Sequence, residues 1–350
     1  MDRKFKAVVF ESENVIKIGE FELGPRGETD IVVKTLYTMV SSGTELRVLA
    51  GHYGAKDKFP LVPGYSMVGE VVELGAKAKG YRLGDLVSCR NPRPIPGINC
   101  HWGAQAGMHV SSTLGEDRPV LLPAGCDPRD YLVAEVSAIS FRGVEAADPK
   151  PGETAVVLGQ GVIGAFSGAW LHARGCRVIV ADVEEGRLQR ARGWGAAATV
   201  RVTDPDTEER IKALCNGGAD IVVEASGTSK GALLAYKLVR RKPQNYGEAY
   251  KVEPIGFYHG DWPRLVMQAN YLEPVSVNPF GFCAGEGVII LSPSDRGVED
   301  RQKVVEAIRR GQLKGADFVQ NLVPVAEAPA AYVRLRDDKE HNFSLAFDWR

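Results

Sequence analysis

Two hydrophobic rhythms divide the chain. Up to about residue 145, short stretches rich in Val alternate or run apolar, as in Lys6–Phe10, Asp30–Leu36 and Met67–Leu74, and predict strands. Gly and Pro punctuate them at Gly24-Pro25, Pro60, Pro63-Gly64, Gly80 and Gly84-Asp85. Residues 91–108 are crowded with Pro and Gly and read as a surface loop. Over 127–146 a helical stripe takes over, with Asp127 and Pro128 as its start signals.

The second rhythm begins after Pro149–Glu153. Thr154–Leu158 is an unbroken apolar run, the mark of a strand buried on both faces. Val162–Ala173 has helical spacing, Arg177–Ala181 is a second buried strand, and Glu184–Trp194 a second helix. Ala198–Val202, Thr207–Leu214, Ile221–Glu224 and Ser229–Val239 continue the alternation. That order predicts an α/β fold with a doubly wound parallel sheet of Rossmann type, joined to a β-rich domain. Arg301–Arg310 reads as a helix and the final LAFDWR as a short strand, a return to the character of the first part. The expected division is therefore residues 1–146 with 287–350 in one domain and 147–286 in the other.

The strongest chemical signal is Gly159-Gln160-Gly161-Val162-Ile163-Gly164. It follows a predicted buried strand and opens a predicted helix, and Asp182 ends the next strand 18 positions after the last glycine. Gly159 lets the chain turn out of the strand, Gly161 lets backbone approach a pyrophosphate, and Gly164 permits close helix–strand packing. The helix N-terminus offers N–H groups to phosphate. Asp182 would accept from the adenosine ribose hydroxyls and repel a 2′-phosphate, which points to NAD; Arg187 nearby softens the preference. Ala225 and Ser226, in the small-residue turn after Ile221–Glu224, leave room for the same cofactor.

The chain resembles medium-chain dehydrogenase/reductases, the zinc-containing alcohol dehydrogenase-like superfamily, over nearly its whole length. The matching landmarks, in order, are Pro63-Gly64, Gly69–Gly75, Gly84–Val87, Pro151–Glu153, the Gly159–Gly164 loop, Glu224–Gly227 and Gly256-Phe257-Tyr258. The resemblance implies a GroES-like substrate domain formed by both chain ends around a Rossmann domain. It also places Gly256, Phe257, Tyr258, Phe280 and Gly281 along the nicotinamide. The departures bear on mechanism. Where zinc-dependent members carry a Cys, this chain has Ser42; where they carry His-Glu, it has Tyr65-Ser66; the third ligand position, near Glu135, keeps a carboxylate. Zinc needs three ligands drawn from Cys, His and carboxylate, so no catalytic zinc is expected. The family's structural-zinc lobe is missing too, with only Cys89 and Cys100 in that region, beside His101 and His109.

Without a metal, a side chain must move the proton. Tyr65, Thr44, Ser42, Glu135 and His259 are the candidate catalytic residues. Tyr65 replaces a ligand, Thr44 matches the relay hydroxyl of the zinc enzymes, and Ser42 could bond the substrate oxygen. Glu135 could orient one of these groups or take the proton. A histidine's unperturbed pKa lies near working pH, which makes His259 a candidate acid/base. Blander readings stay open: Tyr65 as a filler of vacated volume, His259 as a solvated loop residue. Phe257, Tyr258 and Trp262 serve equally as a substrate wall or as core. The polar loop over residues 240–253 departs from the family and suits a cofactor cover, a subunit contact or a solvated insertion.

Composition narrows the partners. Lys+Arg number 43 against 44 Asp+Glu, a balance that gives no support for nucleic acid or an anionic membrane. The N-terminus lacks the apolar stretch of a signal peptide, and no run reaches the ~18 apolar residues of a span, so a cytoplasmic protein is expected. The six cysteines form no CxxC pair and are expected reduced. A small-molecule substrate and a homo-oligomer, dimer or tetramer, complete the picture.

The favoured function is zinc-independent hydride transfer between NAD and a secondary alcohol, a sugar, cyclitol or other ring-bearing hydroxyl compound. The Ser-Gly-Thr-Glu and Gly-Phe-Tyr stretches are similar to the metal-free branch that includes bacteriochlorophyllide dehydrogenase-like and sugar or cyclitol dehydrogenase-like proteins. The alternatives are a zinc-free enone or quinone reductase, which Asp182 argues against, and an NAD-retaining epimerase or lyase with no net redox change. A non-enzymatic NAD sensor is a further one.

Overall fold

The structure is a computed structural model that describes residues 3–240, 262–276, 288–293 and 297–350. The chain divides into two compact units, Met1–Ile139 with Asp295–Arg350, and Ser140–Ser294.

The first unit is built on two sheets. β1 (Lys4–Ser12) and β2 (Val15–Glu22) form an antiparallel hairpin. β3 (Asp30–Val40) is the spine of the larger sheet, with nearly every residue buried. α1 (Ser42–Leu49) follows it directly. β4 (Leu61–Val62) pairs with β1, and β5 (Met67–Leu74) with β3. β6 (Leu86–Cys89), β7 (Asn99–Cys100), β8 (Met108–Ser112) and β9 (Val120–Leu121) complete the first stretch. The smaller sheet has the order β2-β1-β4-β7. The larger adds the C-terminal strands Asn321–Pro324 and Leu345–Asp348 to β3-β5-β6-β9, with β8 also on β3. Phe10, Val48, Leu49, Leu61, Tyr332 and Phe347 pack in one core cluster. Tyr332 lies on a C-terminal helix, Ala328–Asp337, so the chain end supplies part of the core that backs α1.

The expected helix over 127–146 is two helices, α2 (Pro128–Tyr131) and α3 (Ala134–Ala147). Tertiary contacts surround the junction. Ser66 Oγ donates to the Leu132 carbonyl, and the Ala316 amide to Asp130 Oδ1. The segment expected as a loop, 91–108, contains β7 and the first residue of β8.

Among its described residues the second unit forms a six-stranded, wholly parallel sheet. Its strands are β10 (Thr154–Leu158), β11 (Arg177–Asp182), β12 (Ala198–Arg201), β13 (Ile221–Glu224), β14 (Arg264–Met267) and β15 (Ile289–Leu291). Their order is β12-β11-β10-β13-β14-β15, so the direction of winding reverses beside β10. The helices described in its crossovers are α4 (Val162–Ala173), α5 (Glu185–Gly193), α6 (Thr207–Leu214) and α7 (Ser229–Leu238). Val156, Ile179, Val222 and Leu265, one from each of four neighbouring strands, share a buried cluster with Ile211 and Leu238. Burial on both faces is what makes β10, β11 and β13 read as unbroken apolar runs. Among the described residues no helix is long and apolar enough to cross a membrane.

Candidate active site

In the second unit the carboxyl edge of the sheet is shaped by how β10 ends. Gly159 turns at φ +87°, and a Cβ on it would lie 2.8 Å from the Ser226 amide nitrogen. A Cβ on Gly164 would strike the Gly159 carbonyl oxygen. Only glycine lets the loop, the helix and the β13 turn come this close. Gly161, by contrast, would point a Cβ into open space. It is the N-cap of α4 and brings no side-chain cap, so the first-turn amides from Val162 and Ile163 onward keep their donors for another acceptor.

Asp182, 5% exposed, closes this edge at the end of β11. Its Oδ2 accepts from the Gln160 amide and its Oδ1 from the Glu184 amide at 2.9 Å, which fixes the carboxylate. Arg187 Nη1 stands 3.8 Å from Oδ2. Gln160 donates from Nε2 to the Gly159 carbonyl at 3.1 Å, while its buried Oε1 has no hydrogen-bond partner among the described residues. Ala225 donates its amide to the Leu158 carbonyl at 2.8 Å, and Ser226 turns both amide and hydroxyl onto Glu224. The glycine loop, Asp182, Ala225 and Ser226 therefore meet at the carboxyl ends of β10, β11 and β13, where ligands bind open parallel sheets.

In the first unit, Ser42 and Thr44 fall in the first turn of α1. The Tyr65 hydroxyl donates to Ser41 Oγ at 2.6 Å, so Tyr65 reaches the N-cap of the helix that carries the other two. Three of the expected catalytic residues are thus brought to one place. Below them lies a group the sequence reading missed. Glu45, 0% exposed, accepts from the Ser41 amide at 2.9 Å, from the Tyr332 hydroxyl at 2.5 Å and from Gln105 Nε2 at 3.2 Å. Burial pushes its carboxyl up to about 7, against the pull of those three donors. The Ser41-to-Glu45 spacing resembles a capping box stretched by one residue, the one local signal that could have flagged it.

Glu135, also fully buried, is held in an ion cluster. Its oxygens lie 3.6 Å from Arg90 Nη1 and 3.4 Å from Arg301 Nε. Arg90 also meets Asp117 at 2.6 Å, and Arg301 donates to the carbonyls of Glu116 and Arg118. Burial lowers the pKa of Arg301, and Glu135 is the first charge that opposes this. His259, Gly256, Phe257, Tyr258, Phe280 and Gly281 lie outside the described residues, as does the 241–253 part of the polar loop. Trp262 is described and exposed.

Comparison with known proteins agrees with this architecture. The alcohol dehydrogenase GroES-like domain family matches residues 27–138, and the zinc-binding dehydrogenase family residues 162–243. The chain belongs to the medium-chain dehydrogenase/reductase superfamily, in its zinc-type alcohol dehydrogenase-like group, and is an oxidoreductase of that kind. Sorbitol dehydrogenase of Halalkalibacterium halodurans is 27% identical over 62% of this chain and 68% of its own length. A short chain alcohol dehydrogenase of Escherichia coli CFT073, solved with NADH, superposes with a TM-score of 0.82 at 17% identity, covering 99% of both chains. A protein from Sinorhizobium meliloti 1021, provisionally assigned as a zinc-binding dehydrogenase and bound to NADP, does so at 0.81 and 20% identity, again covering 99% of both.

Proposed function

We propose that the protein is an NAD-dependent, zinc-independent dehydrogenase that oxidises a secondary alcohol on a ring-bearing polyol, a sugar or cyclitol. The observation that carries the cofactor assignment is the Asp182 carboxylate, clamped by the Gln160 and Glu184 amides beside the uncapped start of α4. The uncapped amides would hold the pyrophosphate, and the unpartnered Gln160 Oε1 offers an acceptor to a cofactor hydroxyl. Asp182 would take the ribose hydroxyls, with Ala225 and Ser226 flooring the site. A 2′-phosphate would meet that carboxylate at short range; Arg187, at 3.8 Å, only partly offsets the repulsion. Gly256, Phe257, Tyr258, Phe280 and Gly281 are proposed for the nicotinamide end on the family resemblance.

The donor set does not suit zinc. Ser42 and Tyr65 offer neutral hydroxyls, and Glu135 is shared between two guanidiniums that would repel a dication. Among the described residues no three His, Cys, Asp or Glu side chains gather as a metal site.

Oxidation of CH–OH to C=O breaks a C–H and an O–H bond. NAD, when bound, supplies the hydride acceptor. The alcohol proton leaves through the protein. Tyr65, its own proton directed at Ser41, presents the phenolic oxygen to the substrate hydroxyl. Ser42 and Thr44 flank it as relay hydroxyls on the first turn of α1. His259 is proposed as the acid/base on its chemistry alone. Glu135 acts by position, fixing Arg90 and Arg301 rather than touching substrate.

Sorbitol as the substrate of one relative favours a polyol. A homodimer or tetramer is proposed as well. Among the described residues β15 is the outer strand of the parallel sheet, and Ile290 on it is 50% exposed, an edge suited to a second copy. The test is metal analysis of the purified protein together with reduction of NAD and NADP over cyclitols, sugars and acyclic polyols. Chelator-resistant NAD reduction is expected. Stoichiometric zinc with chelator-sensitive activity would overturn the metal-free assignment, and failure to reduce NAD with every alcohol would overturn the dehydrogenase.

A further inference from the structure

Residues 101–105 run alongside the strand that leads to Tyr65. The His101 amide donates to the Val62 carbonyl at 2.8 Å, and the Ala104 amide to the Gly64 carbonyl at 2.8 Å. Between those two bonds the chain bulges. Trp102 adopts φ +72° and Gly103 φ +84°. Gly103 takes that backbone freely, but a left-handed tryptophan is a strained conformation. Bulges of this kind re-aim a side chain. Here the indole lands edge-on to Tyr65, with ring centroids 5.2 Å apart and planes at 79°, and also against His101 at 4.3 Å. The corner so formed is asymmetric: Tyr65 is 7% exposed, whereas Trp102, which also packs on the core cluster of Phe10 and Tyr332, is only half-buried. An apolar ring surface thus adjoins the phenol assigned to the reacting hydroxyl.

We propose that Trp102 is a specificity-determining residue, whose half-buried indole, braced against Tyr65, stacks on the ring of a cyclic polyol and selects it over an open-chain one. The inference rests on the dehydrogenase assignment only for the identity of Tyr65 as the hydroxyl-binding group. The C–H face of a saturated ring lies flat on an indole. A flexible chain must give up more conformational freedom to make the same contact.

Equilibrium binding separates the two claims. Myo-inositol and sorbitol are titrated calorimetrically into the full chain with NAD present, using wild type, Trp102→Asn and Trp102→Leu. Asparagine tolerates the left-handed backbone, and leucine supplies the comparison should that variant not fold. Loss of the indole is expected to weaken inositol binding about tenfold, the scale of one aromatic packing contact, and sorbitol binding less than twofold. Equal losses for both ligands, no loss for either, or no inositol binding by the wild type would overturn the proposal. Ring-selective binding that depends on Trp102 without any NAD reduction would leave it standing and remove the dehydrogenase assignment instead.

Discussion

The Tyr65 hydroxyl and Ser41 Oγ, 24 residues apart in sequence, share a buried 2.6 Å hydrogen bond at the start of α1. It joins the turn after Pro63-Gly64 to the helix that bears Ser42 and Thr44. If this hydroxyl handles the substrate oxygen, Tyr65→Phe removes the chemistry and keeps the ring packed on Trp102. The expected outcome is a fall in kcat of about 10²–10⁴, the usual worth of a proton-handling group, with NAD affinity unchanged by fluorescence titration. A variant with near-normal kcat would reduce Tyr65 to a filler of space.

Cofactor choice should turn on Asp182. Its replacement by Ala removes two backbone-amide acceptors and the charge that repels a 2′-phosphate, while Arg187 stays. The expected result is a rise in KM for NAD of about 10–100-fold, the cost of one or two charge-assisted hydrogen bonds, and a lower KM for NADP. Steady-state kinetics with both dinucleotides reads the ratio. An unchanged ratio would remove the ribose from Asp182.

Glu45 makes stability depend on pH in an unusual direction. Burial raises its folded-state carboxyl to about 7, from an ordinary value of 4.5. The native state therefore binds the proton more tightly than the unfolded chain. This contribution to stability is fully present below pH ~4.5, fades across the interval and is lost above ~7, for a total of about 3 kcal/mol. Urea unfolding at pH 5 and pH 8 should show wild type losing stability relative to Glu45→Gln as pH rises. Parallel curves for the two proteins would mean that Glu45 titrates normally.

How far the sequence discloses this arrangement depends on whether the relevant contacts are local. β10, β11 and β13 are legible because strands covered on both faces are apolar throughout, and the glycine loop is legible because its spacing carries its geometry. α1 is not. Its eight residues include Gly43, and only Glu45, Val48 and Leu49 are buried, so no apolar stripe announces it. What holds Glu45 is Tyr332, 287 residues away. The partners of Glu135 are equally remote, Arg90 and Arg301, and neither shows a local pattern. Trp102 is hidden for another reason: a left-handed tryptophan has no sequence signature, because propensity argues against it. The break between α2 and α3 is likewise not announced locally; Ser66 and Ala316 hydrogen-bond there from distant parts of the chain.

Glu135 provides the sharpest separation between the metal-free assignment and its rival. It occupies the position of a zinc ligand in the superfamily resemblance, yet its two oxygens face two buried guanidiniums. If it is an ion-pair partner, Glu135→Ala leaves Arg90 and Arg301 with a net charge in a site where Arg301 is 0% exposed. Removing one member of a buried ionic cluster costs about 3–5 kcal/mol, so a large fall in Tm is expected with no change in metal content. Glu135→Gln keeps shape but not charge and should fall between. Were Glu135 instead a metal ligand, substitution would release zinc and abolish activity in the Gln variant, and zinc added after chelation would raise the Tm of the wild type but not of the variants. The ion-pair reading also predicts a rescue the ligand reading does not. Arg90→Met combined with Glu135→Met removes charges of both signs together, and should recover part of the stability lost in Glu135→Ala.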